Sequence, residues 1–212
     1  MIFSSISFIS CKNTDEVIES FGYEYIKSDS GDVFIYKFDS IAFDDNTQSI
    51  DTFYYFLKEV NAGKMIQSNG EIFEVIQRFV GKVDSINWEP RASAFVQLKT
   101  KSYERIDQNQ RRIKLVFPIK SNTIWNGNAY NDLGKMNYIV SGPFDQKTYS
   151  NLNFKNVIEV QEANLVNFIE TLKEKSAYAH DIGLIYFEST KLSTQANKTG
   201  GYSLKCTLIQ HY

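Results

Sequence analysis

Histidine and cysteine, two residue types that commonly carry catalysis or bind metals, are few in this chain. Its two histidines are His180 and His211, and its two cysteines, Cys11 and Cys206, lie far apart. A zinc site needs about three or four ligands at known spacings, and nucleophilic catalysis needs a nucleophile, a base and a group that orients the base. His180 directly precedes Asp181, but adjacent residues of a strand point to opposite faces. We therefore expect no metal, no cofactor and no enzymatic activity.

Cys11 is the residue whose thiol has the clearest chemical context. Residues 2–9 are all apolar or serine, the small residue Ser10 precedes the cysteine, and polar and acidic residues follow it. A secretory signal has a basic start, an apolar stretch of ~7–15 residues and a small residue at the cleavage site, and here only the basic start is missing. Residues 1–10 are therefore interpreted as a truncated signal-like segment. The alternative is that they form a buried strand and that Cys11 is an ordinary buried thiol.

The sequence around Cys11 resembles a bacterial lipobox, and Ser10-Cys11-Lys12 followed by Asp15 and Glu16 is similar to the start of Bacteroidetes lipoproteins. In that family the cysteine thiol is alkylated with diacylglycerol, the signal is cleaved before it, and the new amine is acylated. Two or more acyl chains anchor a protein stably, whereas one chain is marginal. The resemblance implies lipidation of Cys11 and a lipid-anchored location in the cell envelope, on the periplasmic or surface side of the outer membrane.

The composition favours one ordered domain. The 212 residues carry a formal net charge of −2, so no overall positive charge favours nucleic acid as a partner. No run of ~18 apolar residues is present that would predict a bilayer-spanning helix. Hydrophobic residues make up 42% of the chain and aromatic residues 15%, which suffices for a full core. We assign residues 11–30 to a polar tether and residues 31–212 to a single domain.

Alternation of apolar and polar residues dominates this domain and predicts strands. In the last such segment, Leu204, Cys206 and Leu208 share one face, which places Cys206 in the core. Turn signals such as Asn69-Gly70 recur about every ten to fifteen residues, as in antiparallel all-β proteins. The sequence therefore predicts a mainly β fold, built as a curved antiparallel sheet, a half-barrel or a sandwich.

One segment departs from this alternation. Within residues 163–178, apolar side chains recur at helical spacing with Glu and Lys between them; they are Leu165, Phe168, Ile169 and Leu172. Spacing of this kind is typical of an amphipathic helix. The sequence therefore predicts one helix near 163–178.

Three phrases of the domain resemble phrases of uncharacterised Bacteroidetes lipoproteins: residues 117–118 with 125–131, residues 178–186, and residues 201–204. The resemblance implies a curved antiparallel sheet, related in style to the half-barrels of periplasmic lipoprotein carriers. It favours loop and strand over helix within 163–178. It implies no particular activity, because these proteins mostly lack one.

Tyr54, Tyr55 and Phe56 are consecutive, so a strand at this position carries aromatic side chains on both faces. Either the strand is buried on both sides, or one face lines a groove for a ligand. Contiguous exposed apolar surface commonly marks a binding site. These three residues are therefore the candidate ligand groove.

Two functions follow from these observations. In the first, the protein is a non-enzymatic, lipid-anchored envelope protein that acts as a binding or structural module, with the membrane and another envelope protein as partners. In the second, it is a carrier that holds an acyl chain or another apolar ligand in a cavity of the curved sheet. A cavity lined by Phe and Tyr favours the carrier, whereas a filled core with a flat surface patch favours the interaction module.

Overall fold

The computed structural model describes residues 20–82, 87–195 and 198–212, and one antiparallel sheet of twelve strands takes up most of them. The strands are β1 (Val33–Phe43), β2 (Ile50–Ile66), β3 (Ile72–Gly81), β4 (Glu89–Leu98), β5 (Ser102–Asp107), β6 (Gln110–Val116), β7 (Ile124–Asn126), β8 (Asn137–Tyr149), β9 (Leu152–Val166), β10 (Glu170–Ala179), β11 (Gly183–Gln195) and β12 (Lys198–His211). A short 3₁₀ turn, Tyr23–Tyr25, precedes them. The predicted mainly β, antiparallel, curved fold is confirmed. In the described ranges no helix is long and apolar enough to span a membrane.

The strand order follows the chain in two runs. It reads β6-β5-β4-β3-β2-β1-β12-β11-β10-β9-β8-β7, so sequential strands are neighbours and the first strand pairs with the last. In the pairing of β1 with β12, Phe38 lies opposite Cys206. The two edges of the sheet are therefore β6 and β7, which are consecutive in the chain.

The sheet curls until these two edges nearly meet. The Ile113 N–H donates to the Gly127 carbonyl at 2.9 Å, and the Trp125 Nε1–H donates to the Ile113 carbonyl at 2.9 Å. These bonds satisfy edge groups that would otherwise be free to pair with another chain. The result is a nearly closed, barrel-like sheet with an inside and an outside.

Residues 125–131, one of the phrases that resembled lipoproteins, form this closure. The Asn126 Oδ1 accepts hydrogen bonds from the N–H groups of Asn128 at 3.2 Å and Met136 at 3.0 Å, which fixes the turn after β7. Gly127 lies against the ring of Tyr138, where any Cβ would collide with the ring. The phrase therefore has a structural explanation in the closing of the sheet.

The helix predicted near residues 163–178 is wrong. The chain forms a hairpin there: β9 ends at Val166, and the Asn167 Oδ1 accepts hydrogen bonds from the N–H groups of Ile169 at 2.9 Å and Glu170 at 2.8 Å. Phe168 at the tip is fully exposed and Ile169 is 64% exposed. The helical spacing of apolar residues thus arises by chance, because the segment joins the end of one strand, a turn with exposed apolar residues and the start of the next strand.

The segment before β1 closes one end of the barrel. Tyr25 is buried in the core, and the Asp181 N–H donates to the Glu24 carbonyl at 2.7 Å. The Ile119 N–H likewise donates to the Phe21 carbonyl at 3.1 Å. From Ser20 onward the segment assigned to a polar tether is therefore packed against the domain. The remainder of that tether and the signal-like residues 1–10 lie outside the described residues.

The β8–β9 hairpin covers part of the outer face of the sheet. Its tip reaches β12, where the Ser150 and Thr207 hydroxyls are 2.8 Å apart, and Tyr149 stacks on Tyr186 of β11 with ring centroids 4.5 Å apart. Beneath it, Val157 and Ala177 are fully buried. The sheet is therefore packed on its outer face here, which leaves the inner face as the place for a site.

Candidate functional site

The inside of the sheet contains a cavity of about 370 Å³. This volume is at the lower end of the ~300–1,000 Å³ typical of small-molecule sites. Residues 20–32 close one end, where Gly183 at the start of β11 contacts Lys27. At the far end of the same strand, Lys191 lines the cavity and is 44% exposed. In the part of the chain that the structure describes, the cavity is therefore accessible from the end opposite the N-terminal segment.

One side of the cavity is an apolar wall formed by β1, β2, β11 and β12. We use the name "apolar wall" for Phe34, Tyr36, Phe38, Leu57, Phe187, Leu204 and Cys206. Period-2 alternation brings these side chains to the inner face of neighbouring strands. The Tyr36 hydroxyl donates to the Leu184 carbonyl at 3.1 Å, which satisfies its polar tip without using cavity space. The wall is thus mainly aromatic and aliphatic.

Cys206 belongs to this wall, as its alternation with Leu204 and Leu208 predicted. Its side chain is 4% exposed, and Leu208 beside it is 2% exposed. Burial raises the pKa of the Cys206 thiol well above its ordinary value, and the Glu59 carboxylate acts in the same direction. The thiol is therefore neutral near pH 7 and behaves as an apolar group. The prediction of a core cysteine is confirmed.

The opposite side of the cavity carries charged residues in ion pairs. Arg105 lies between Glu59, whose Oε2 is 3.2 Å from its Nη1, and Asp107, whose Oδ2 is 2.6 Å from its Nε. Arg78 Nη1 binds the other Asp107 oxygen, Oδ1, at 2.7 Å. Burial tends to lower the pKa of Arg105, but the two carboxylates outweigh it and raise that pKa well above its ordinary value. Burial tends to raise the pKa of Asp107, but Arg105, with Arg78 and Lys114, outweighs it and lowers that pKa. Arg105 and Asp107 therefore stay ionised at neutral pH.

A second ion pair crosses the inside of the barrel. Lys114 of β6 bonds to Glu162 of β9, which also accepts a hydrogen bond from Ser176. The Lys114 Nζ lies 5.7 Å from the centroid of the Phe187 ring, so the charged side and the apolar wall meet across the cavity. Near the open end, Lys191 Nζ binds the Glu174 Oε1 at 3.1 Å. The cavity therefore offers both apolar and ionic surfaces to a ligand.

The sequence places several basic residues on one predicted hairpin, around Arg105, Arg112 and Lys114, but did not predict that these charges face inward. One face of the β5–β6 pair carries four charged residues: Arg105 and Asp107 on β5, and Arg112 and Lys114 on β6. Their two-residue spacing along each strand can be recognised in the sequence. Which face points inward is decided only by the curl of the sheet.

The three residues of the candidate groove do not come together in one surface. Tyr55 lies on the inner face and stacks on Phe38 of the apolar wall, with ring centroids 4.8 Å apart. Tyr54 and Phe56 alternate to the outer face, and Tyr54 is 70% exposed. Tyr55 thus lies beside the cavity, while its two neighbours do not.

His180 and Asp181 do contact each other, contrary to the expectation that they point apart. Asp181 has a φ of 60°, so the pair lies in the β10–β11 turn rather than in a strand, and the His180 Nδ1 is 2.8 Å from the Asp181 Oδ2. The contact is on the surface, outside the cavity. Among the residues that the structure describes, no three His, Cys, Asp or Glu side chains form a group suited to a metal ion. Cys11, the candidate lipidation site, lies outside the described residues.

The fold and the site define a small, nearly closed antiparallel barrel with a ligand-sized interior. No protein-family model and no curated protein matches the chain. Two crystal structures are similar over much of their length. One is a DUF1329 family protein from Desulfovibrio piger, with 8% identity over 86% of this chain and 85% of that one, at a TM-score of 0.23. The other is a domain of a putative outer membrane lipoprotein-sorting protein from Vibrio parahaemolyticus, with 10% identity over the same shares and a TM-score of 0.21.

Proposed function

We propose that this domain is a non-enzymatic binding module that carries a small apolar or amphiphilic molecule inside its curved sheet. The observation that carries the proposal is the cavity of about 370 Å³ with its mainly aromatic and aliphatic wall. Each methylene group moved from water onto such a wall contributes ~0.8 kcal/mol. A filled core with a flat surface patch would have supported the interaction module instead.

The arrangement of charges supports binding rather than acid–base catalysis. Two of the carboxylates that line the cavity, Asp107 and Glu162, are held by cations, Arg105 and Lys114. A general base needs a carboxylate that is free to take up a proton near neutral pH. The lowered pKa of Asp107 works against such a role.

The cavity is tested with a neutral fluorescent probe, N-phenyl-1-naphthylamine, and with dodecanol as competitor. Leu204 faces the cavity and the adjacent Lys205 is exposed on the other face, so Leu204→Trp and Lys205→Trp form a matched pair. We expect saturable probe binding that dodecanol reverses. We expect Leu204→Trp to weaken it by about tenfold or more, which corresponds to ~1.4 kcal/mol, and Lys205→Trp to leave it unchanged. Equal binding by both variants, or none by the wild type, contradicts the proposal.

We further propose that the protein is attached to the cell envelope through acyl chains on Cys11, with the membrane as its permanent partner. The support is the sequence context of Ser10-Cys11-Lys12. Metabolic labelling of the full precursor in a bacterial host with a fatty-acid probe tests this, with Cys11→Ala as the control. We expect label on the wild type alone, and equal labelling of both would end this part of the proposal.

A further inference from the structure

The cavity is more positive than the chain as a whole. Ten Lys, Arg, Asp and Glu side chains line it, and six of them are cationic: Lys27, Arg78, Arg105, Arg112, Lys114 and Lys191. The four anionic ones are Glu59, Asp107, Glu162 and Glu174. The whole chain, by contrast, has a net charge of −2. The low-dielectric walls of a cavity focus the electric field of such an excess of positive charge. The field inside therefore favours an anionic ligand.

The excess can be traced to individual residues. The four carboxylates are all paired, in the contacts Arg105–Glu59, Arg105–Asp107, Arg78–Asp107, Lys114–Glu162 and Lys191–Glu174. Lys27 at the closed end is paired with Asp29 and Asp32. The side chain of Arg112, alone among those of the six cations, has no hydrogen bond or ion pair with a residue that the structure describes.

Arg112 is held where it cannot easily find a protein partner. It lies directly opposite Arg105 in the register of β5 and β6, and Arg105 already engages Glu59 and Asp107. Its side chain is half-buried, so part of its hydration is lost without a compensating bond. A planar guanidinium in this state is suited to bidentate binding of a carboxylate or a phosphate.

We propose that the ligand is a single-chain amphiphile whose anionic head, a carboxylate or phosphate monoester, binds Arg112 while its chain lies on the apolar wall. This rests on the proposed carrier function and deepens it. The Nζ of Lys114, two residues after Arg112 on β6, lies 5.7 Å from the centroid of the Phe187 ring of that wall. One short molecule can therefore reach both the site for the head group and the site for the chain. The modest volume of about 370 Å³ favours one chain over several.

The experiment displaces N-phenyl-1-naphthylamine with three competitors that share a twelve-carbon chain: dodecanol, dodecanoate and dodecyl phosphate. The proteins are the wild type, Arg112→Gln and, as a matched control on the exposed outer face, Lys205→Gln. We expect the wild type and Lys205→Gln to bind at least one anionic competitor about tenfold or more tighter than the alcohol. Arg112→Gln should lose that preference and bind dodecanol as before. Comparing the carboxylate with the phosphate identifies the head group.

The outcomes separate this inference from the carrier function. Equal affinity of the wild type for the alcohol and both anions overturns the anionic site and leaves the carrier standing. Failure of all three to displace the probe overturns both. A preference that survives Arg112→Gln overturns the assignment to Arg112. Since the Arg112 side chain makes no hydrogen bond or ion pair with the described residues, a variant at this position is expected to fold, and thermal unfolding checks this. Arg112→Lys should retain part of the preference.

Discussion

Arg105 of β5 and Glu59 of β2 are paired across the inside of the sheet, with the Arg105 Nη1 3.2 Å from the Glu59 Oε2. Strands β3 and β4 lie between them in the sheet. At ~4.8 Å per strand, a flat sheet would separate the two backbones by about 14 Å. The curl of the sheet brings the side chains together, so the pair reports directly on the curvature that creates the cavity.

Replacement of Arg105 by methionine should therefore be strongly destabilising. It leaves Glu59, which is 7% exposed, without its cation, and breaking a buried pair costs about 3–5 kcal/mol. The double variant Glu59→Met/Arg105→Met should recover part of the loss, because no uncompensated carboxylate remains at position 59. Denaturant unfolding measures both. Arg91→Met, in an exposed pair with Glu89, is the control and should change stability by ~0.5 kcal/mol or less. A loss below ~1 kcal/mol for Arg105→Met would contradict the conclusion that Arg105 and Glu59 form a buried ion pair.

Stability should fall in acid partly through Asp107. Its folded pKa is below its ordinary value of 3.8, so the stabilisation is complete above that value and is lost as the pH falls through the folded pKa. Below pH ~4 the free energy of unfolding of the wild type should decrease by up to ~1.4 kcal/mol per pH unit for this one proton. Asp107→Asn should be less stable at neutral pH and should show a shallower acid slope. Parallel slopes in urea unfolding of the two proteins would show that Asp107 does not contribute.

Gly183 should not tolerate a side chain. Its φ is +91°, and a Cβ would lie 3.2 Å from the backbone nitrogen of Lys27. Gly31 has a similar φ of +95° but open space around it, so Gly31→Ala measures the backbone cost alone. We expect Gly31→Ala to cost ~1–2 kcal/mol and Gly183→Ala to cost more, because the N-terminal segment must also shift. Equal losses in thermal unfolding would mean that this contact is not tight.

An ionisable group at Cys206 should be poorly tolerated. Cys206→Asp places a carboxylate in the apolar wall next to Glu59, and we expect a loss of more than ~3 kcal/mol in denaturant unfolding. Cys206→Ala tests the loss of volume alone and should be milder. Lys205→Gln, on the exposed face, should change stability by ~0.5 kcal/mol or less. A mild Cys206→Asp would mean that the cavity is wet at this wall.

The sequence by itself determined the class of fold and many of its local features. Alternating apolar and polar residues, rich in aromatic and β-branched side chains, are typical of strands, so the β-rich architecture and the burial of Cys206 followed from the pattern. Asn69-Gly70 likewise marked the turn between β2 and β3, where the Gly70 N–H donates to the Gln67 carbonyl at 2.9 Å. These features depend on residues close together in the chain.

The features that only the tertiary structure decided depend on contacts between residues far apart in the chain. Alternation says that Arg112 and Lys114 share a face, but only the curl and closure of the sheet show that this face points inward and meets Phe187. The same holds for residues 163–178, whose helical spacing was overruled by strand pairing on both sides of Asn167. Whether the interior is filled or hollow depends on how strongly the twelve-stranded sheet curves. That curvature is set by all the strand pairings together, most of which join residues far apart in the chain. Local patterns specify which way a side chain points relative to its neighbours, whereas a cavity exists only once all the strands are in place.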